Sequence, residues 1–168
     1  MSVALAPPFA VAALLLCVAG MAKLRAPAAA ASALGTPPWT IRALAAGEVT
    51  LGAACVVHPT RALAVALAVT FAVFAGVAAV LKRRRMACGC FGDDDLPVSH
   101  AHVIASELLC AAGVAAAVAS PRGLVAGWLT SQPAWKAGVL AVGIAASVYA
   151  IVLVYTEVPR AWAAWSGE

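Results

Sequence analysis

The chain has 168 residues, of which 64% are hydrophobic and only 11% charged, whereas a soluble domain carries roughly a quarter charged residues. That balance leaves too few polar side chains to cover a water-soluble fold, and it excludes disorder, which requires low hydrophobicity. The net charge of +4 is not gathered into a long basic run interleaved with aromatics, so nucleic-acid binding is not expected.

A membrane-spanning helix takes about 20 apolar residues, and five apolar runs of that size follow one another. The first extends from about Val3 to Ala22 and meets Lys23 and Arg25. Its leading residues Met1–Pro8 hold no Lys or Arg, the reverse of a secretory signal, so the run is expected to be retained as a helix. The second, from about Ile41 to Val57, contains Glu48. The third, Ala62 to Leu81, carries no charge. The fourth, His100 to Ala119, contains Glu107, and the fifth, Ala137 to Tyr155, is again uncharged. The joins contain proline, and one of them, Lys82 to Ser99, is the most polar stretch of the chain. These runs predict an all-α, multi-pass membrane helix bundle that contacts lipid, with no separate soluble domain.

Basic residues set the expected orientation. Arg61, Arg122 and Lys136 share a side with the amino terminus. Lys23, Arg25, Arg42, Lys82, Arg83, Arg84, Arg85 and Arg160 lie opposite. The richer side is expected in the cytoplasm, with the Lys82–Ser99 loop there and the amino terminus outside.

That loop concentrates the chemistry. Cys88-Gly89-Cys90 can close a small disulfide ring, and the glycine supplies the backbone freedom that closure needs. Such a ring is strained and therefore easily reduced. The neighbouring Arg run favours thiolate at both cysteines and Asp93 to Asp95 opposes it, so the balance is not decided by sequence. Cysteine usually prefers burial, which makes two in a polar loop a specific signal for redox chemistry. A metal is the alternative, with Cys88, Cys90, His100 and His102 as ligands. One intervening residue in each pair is poor spacing for a single tetrahedral zinc, and the two histidines would point to different faces of a helix that has already begun; no metal is expected. Three further cysteines lie within spans. Cys17 stands about 8 Å from the cytoplasmic end of the first, Cys110 lies near mid-depth and Cys55 near the outer end of the second. Each is read first as a small apolar residue.

Glu48 and Glu107 are carboxylates inside spans. An ionised carboxylate there is costly, so such groups face the bundle interior, pair or titrate neutral. Glu48, Gly52 and Cys55 share one face of the second helix. His100, Glu107 and Cys110 share one face of the fourth. The two faces are expected to meet at an interior site, with proton delivery beside thiol or quinone chemistry as its role. Apart from Arg42 at the very start of the second run, no Lys or Arg lies inside the expected spans to pair with either carboxylate.

The Cys88-Gly-Cys90-Phe-Gly92 string follows an apolar third helix and a basic cluster. The first helix ends Ala19-Gly-Met-Ala-Lys23-Leu, and the second has Gly47-Glu48 with Gly52 four residues on. Together these resemble the MauE family of methylamine-utilisation membrane proteins, grouped with DoxX-like proteins. The resemblance covers about residues 5 to 120. It implies a four-helix core over residues 1–120, to which residues 121–168 add a loop, a further transmembrane helix and a short tail. It also implies thiol–disulfide chemistry that supports maturation of exported proteins in a bacterial-type plasma membrane, with a thioredoxin-like partner. The namesake target is a disulfide-rich subunit of methylamine dehydrogenase. The family's cysteine pair falls on Cys88 and Cys90 and its second-helix carboxylate on Glu48. Glu107 stands where the family often has Arg-Asn. No cofactor is required by this reading, although a quinone would serve as electron partner. Two other readings stay open: a metal-binding or transport protein, and a membrane assembly subunit without chemistry of its own.

Overall fold

The computed structural model describes residues 5–84, 86, 98–119 and 129–166, excepting the side chains of residues 158–160, 162–164 and 166. Six helices account for the named elements: α1 Ala6–Arg25, α2 Pro27–Leu34, α3 Pro38–Val57, α4 Arg61–Arg83, α5 His100–Val118 and α6 Ala134–Ser166. Five are long and apolar enough to cross a membrane; the span within α6 is Ala134–Glu157. The protein is thus an all-helical, multi-pass membrane bundle.

Local chemistry fixes the helix ends. Pro7 and Pro38 stand in the first turns of α1 and α3, where a missing N–H costs nothing. Thr60 caps α4, its hydroxyl accepting from the Leu63 N–H at 3.2 Å. Ala26 precedes Pro27 and leaves the helical region, with φ −131° and ψ 72°; that break separates α1 from the short α2. Gly35 ends α2 at φ +63°, a conformation that favours glycine.

Several helix ends extend past the apolar runs read in the sequence, two of them with consequences. α1 does not stop at Ala22 but runs to Arg25, because Lys, Leu and Arg are good helix formers and the first obstacle is Pro27. Cys17 consequently lies about 12 Å of helix rise from the α1 end rather than 8 Å. α6 continues past Tyr155 to Ser166. The join between the first two spans also contains α2, whose Ala30 and Ala31 pack on Ile41 of α3.

α1 is the central helix. Fifty-six per cent of its spanning stretch is buried, against 11% for α6. Phe9, Leu16, Leu67, Phe71 and Leu109 form the core where α1, α4 and α5 meet. α3 lies along α1 and α5 along α4. Valines such as Val65, Val69, Val73 and Val139 are exposed on the outside, where acyl chains replace water. Small residues set the α1–α3 distance. A Cβ on Gly52 would lie 2.5 Å from Cys17 Sγ and 2.6 Å from the Ala13 carbonyl oxygen, so the two backbones are as close as glycine permits.

Candidate functional site

The α1–α3 seam carries an ion pair inside the bundle. The Lys23 ammonium donates to Glu48 Oε1 at 2.6 Å. Both residues are buried, at 5% and 3% exposure. The Phe74 ring of α4 receives the same ammonium at 4.6 Å from its centroid, a cation–π contact. Glu48 Oε2 is buried and has no hydrogen-bond partner among the described residues. The expectation that no cation inside the spans could meet Glu48 is therefore overturned. Lys23 lies within α1, and its side chain reaches the carboxylate on the neighbouring helix.

The expected face of α3 is present: Glu48, Gly52 and Cys55 are all buried. Two thiols border it. Cys17 Sγ, half-buried, donates to the Val49 carbonyl at 3.7 Å. Cys55 Sγ, fully buried, donates to the Leu63 carbonyl at 3.6 Å. Cys110 is half-buried against the central core. Cys17, Cys55 and Cys110 are free thiols.

The expected face of the fourth span is not the one that packs inward. The buried stripe of α5 runs through His102, Ser106, Leu109 and Gly113. His100 and Glu107 are exposed, and Glu107 does not meet Glu48 in a shared interior site. Leu109 and Gly113 of that stripe pack on α4, and its polar members meet α6. Tyr155 of α6 donates to the His102 carbonyl at 3.3 Å, and its hydroxyl lies 3.1 Å from Ser106 Oγ. The rings of His102 and Tyr155 meet edge to face, with centroids 4.6 Å apart. This polar contact between α5 and α6 was not anticipated from sequence. Its signal was there in a buried-type stripe of Ser106, Leu109 and Gly113, spaced at three and four residues, and in a tyrosine at the end of the fifth apolar run.

The histidines of the alternative metal set have the following partners among the described residues. His102 Nδ1 accepts from the Ser99 N–H at 3.3 Å and lies 3.0 Å from the Ser99 hydroxyl. His100 faces outward with its Nδ1 2.8 Å from the Lys82 ammonium. Among the described residues no group of three or more His, Cys, Asp or Glu is arranged to hold a metal.

Cys88, Gly89, Cys90 and Gly92 lie outside the described residues. The two ends of their loop do not. The Met86 N–H donates to the Leu81 carbonyl at 3.0 Å, and the Val98 N–H donates to the Met86 carbonyl at 3.1 Å. Val98 is buried against Ala78 and Leu81. Met86 and Val98, the described residues on either side of 87–97, are therefore joined by a main-chain hydrogen bond at the end of α4.

A multi-pass bundle with a buried ion pair on one seam defines a membrane protein with charged groups inside its core. The chain belongs to the MauE family: the family model described as methylamine utilisation protein MauE matches residues 1–120. No curated protein and no solved structure matches it.

Proposed function

We propose that this chain is a membrane thiol–disulfide protein in which Cys88 and Cys90 cycle between dithiol and disulfide. The observation that supports the reading is the hydrogen bond from the Val98 N–H to the Met86 carbonyl, which holds together the two described residues that flank the Cys-Gly-Cys pair in sequence. One thiolate attacks a partner's disulfide and the other resolves the mixed disulfide. A thioredoxin-like protein fits the role of partner. Glu48, with one oxygen unpartnered, is assigned to proton handling together with Lys23. Cys17 and Glu107 keep supporting roles only, Glu107 from the outer surface. Family membership supports a part in methylamine utilisation; the part assigned here is maturation of an exported disulfide-bearing protein.

The decisive measurement is alkylation with a mass tag before and after reduction. Cys88 and Cys90 are expected to be blocked together after mild oxidation and freed together by reductant, in monomeric protein. Two permanently free thiols under oxidising conditions, with stoichiometric bound zinc, would establish the metal reading instead.

Sidedness sets the direction of electron flow. The Lys82–Arg85 cluster directly follows the third span, where basic residues orient a helix most strongly, and Asp93 to Asp95 contribute little. After treatment with a permeant reductant, an impermeant maleimide is expected to leave Cys88 and Cys90 unlabelled in intact cells and to label them once the membrane is opened. Labelling of intact cells would put the loop outside, where it would exchange directly with exported proteins.

A further inference from the structure

We propose that the cleft between α2, α3 and α4 binds the ring of a membrane quinone, with a ring carbonyl accepting a hydrogen bond from Lys23. The cleft has a volume of about 290 Å³, near the lower end for small-molecule sites. Its walls include Ala30 and Leu34 of α2, Ile41 and Leu44 of α3, and Phe74 of α4. Leu34, Leu44, Val69 and Val73 line it and are exposed on the lipid-facing surface, so its mouth opens where a ligand dissolved in the bilayer arrives. Among the described residues, Lys23 is the only charged one on the wall.

The chemistry of that lysine selects the occupant. An ammonium has three donors. Glu48 Oε1 takes one, and the Phe74 ring covers another face of the cation. A donor remains for an acceptor in the cleft. Lys23 and Glu48 together are neutral, so a carboxylate head group would bury a net negative charge and an amine a net positive one, both costly. A neutral carbonyl adds no charge. A flat ring also has a face to offer the Phe74 side of the cleft, and a prenyl tail suits the apolar mouth. These features together describe a quinone.

The redox role of the bound ring rests on the thiol–disulfide reading; the binding does not. In that role two S–H bonds of the cysteine pair break, one S–S bond forms, and two electrons and two protons convert the quinone to the quinol.

The test is light-driven crosslinking of an azido-substituted ubiquinone analogue with a decyl tail to the full chain in lipid nanodiscs, mapped by peptide mass spectrometry. Adducts are expected on residues 69–77 of α4 or 41–44 of α3, competed by decylubiquinone and not by decanoate. Val73→Trp, at an exposed wall position, fills the cleft and should remove them. The double variant Lys23→Met/Glu48→Met should reduce them by about tenfold, the effect of losing one hydrogen bond from a charged donor. Adducts spread over all lipid-facing helices, competition by decanoate, or labelling unchanged in Val73→Trp would overturn the proposal. Failure of the two readings is distinguishable. Labelling without any Cys88–Cys90 disulfide removes the relay and keeps the site. Disulfide cycling without labelling keeps the relay and removes the site.

Discussion

Lys23→Met should destabilise the bundle by about 3–5 kcal/mol, the range for removing one partner of a buried ion pair. The cost arises less from the lost attraction than from what stays behind. Glu48 would keep a carboxylate at 3% exposure with neither oxygen satisfied, since Oε2 already lacks a partner. Lys23→Met/Glu48→Met should recover most of the loss, because exchanging a whole buried pair for apolar side chains of similar volume is often neutral. Unfolding by denaturing detergent, followed by circular dichroism on all three proteins, measures this. A single variant as stable as the parent would show that the pair contributes nothing to the fold. The double variant also separates stability from chemistry. If it is stable and its cysteines no longer cycle even with quinone in saturating excess, the pair handles protons; if they cycle normally, the pair is structural.

The same geometry changes what Glu48→Gln can reveal. Taken as a lone carboxylate, Glu48 would tolerate glutamine with the fold intact and only the proton chemistry lost. With Lys23 2.6 Å away, the substitution leaves a buried ammonium beside a neutral amide. Glu48→Gln is therefore expected to weaken both fold and turnover, and only the paired replacement isolates the chemistry.

The spans were legible because lipid imposes one strong rule, about 20 apolar residues per crossing, and Lys82–Ser99 stood out as polar against it. The face of α3 was legible too, since Glu48, Gly52 and Cys55 keep helical spacing. The ion pair was not. Apolar runs are naturally ended at the first charge, and that habit placed Lys23 outside the helix in which it lies. A lysine's long stem lets its ammonium act a turn or more from its Cα, which linear hydropathy does not register. The α5 face failed for a related reason. The desolvation cost of Glu107 argued for an inward position, but an outward carboxylate three turns or fewer from a helix start has other recourse, and Tyr155 supplied His102 and Ser106 with partners. That contact joins residues 49 and 53 apart in sequence, beyond any local pattern. α2 was missed because eight residues of mostly alanine between prolines leave no amphipathic signal.

Gly52→Ala should cost about 1–3 kcal/mol, as expected for overpacking a close contact, although alanine is the better helix former. Its new methyl would meet Cys17 Sγ at 2.5 Å and the Ala13 carbonyl oxygen at 2.6 Å. A side chain can rotate aside, whereas a backbone oxygen moves only with its helix, so α1 and α3 must separate. Gly47→Ala in the same helix is the control. Nothing lies within 4 Å of its added Cβ, and the change should be neutral or stabilising by up to about 1 kcal/mol. Cys17→Ala placed on Gly52→Ala should restore part of the loss, because it clears the sulfur and leaves the carbonyl. Detergent unfolding of the four proteins separates the two obstacles. Full rescue would mean that sulfur alone sets the spacing, and no rescue would mean that the backbones do. Separation at Gly52 is also transmitted along the seam. Lys23 and Glu48 bridge the same two helices roughly one turn of α3 away, so Gly52→Ala should loosen the ion pair and, if that pair handles protons, slow cysteine cycling by more than the loss of folded protein explains.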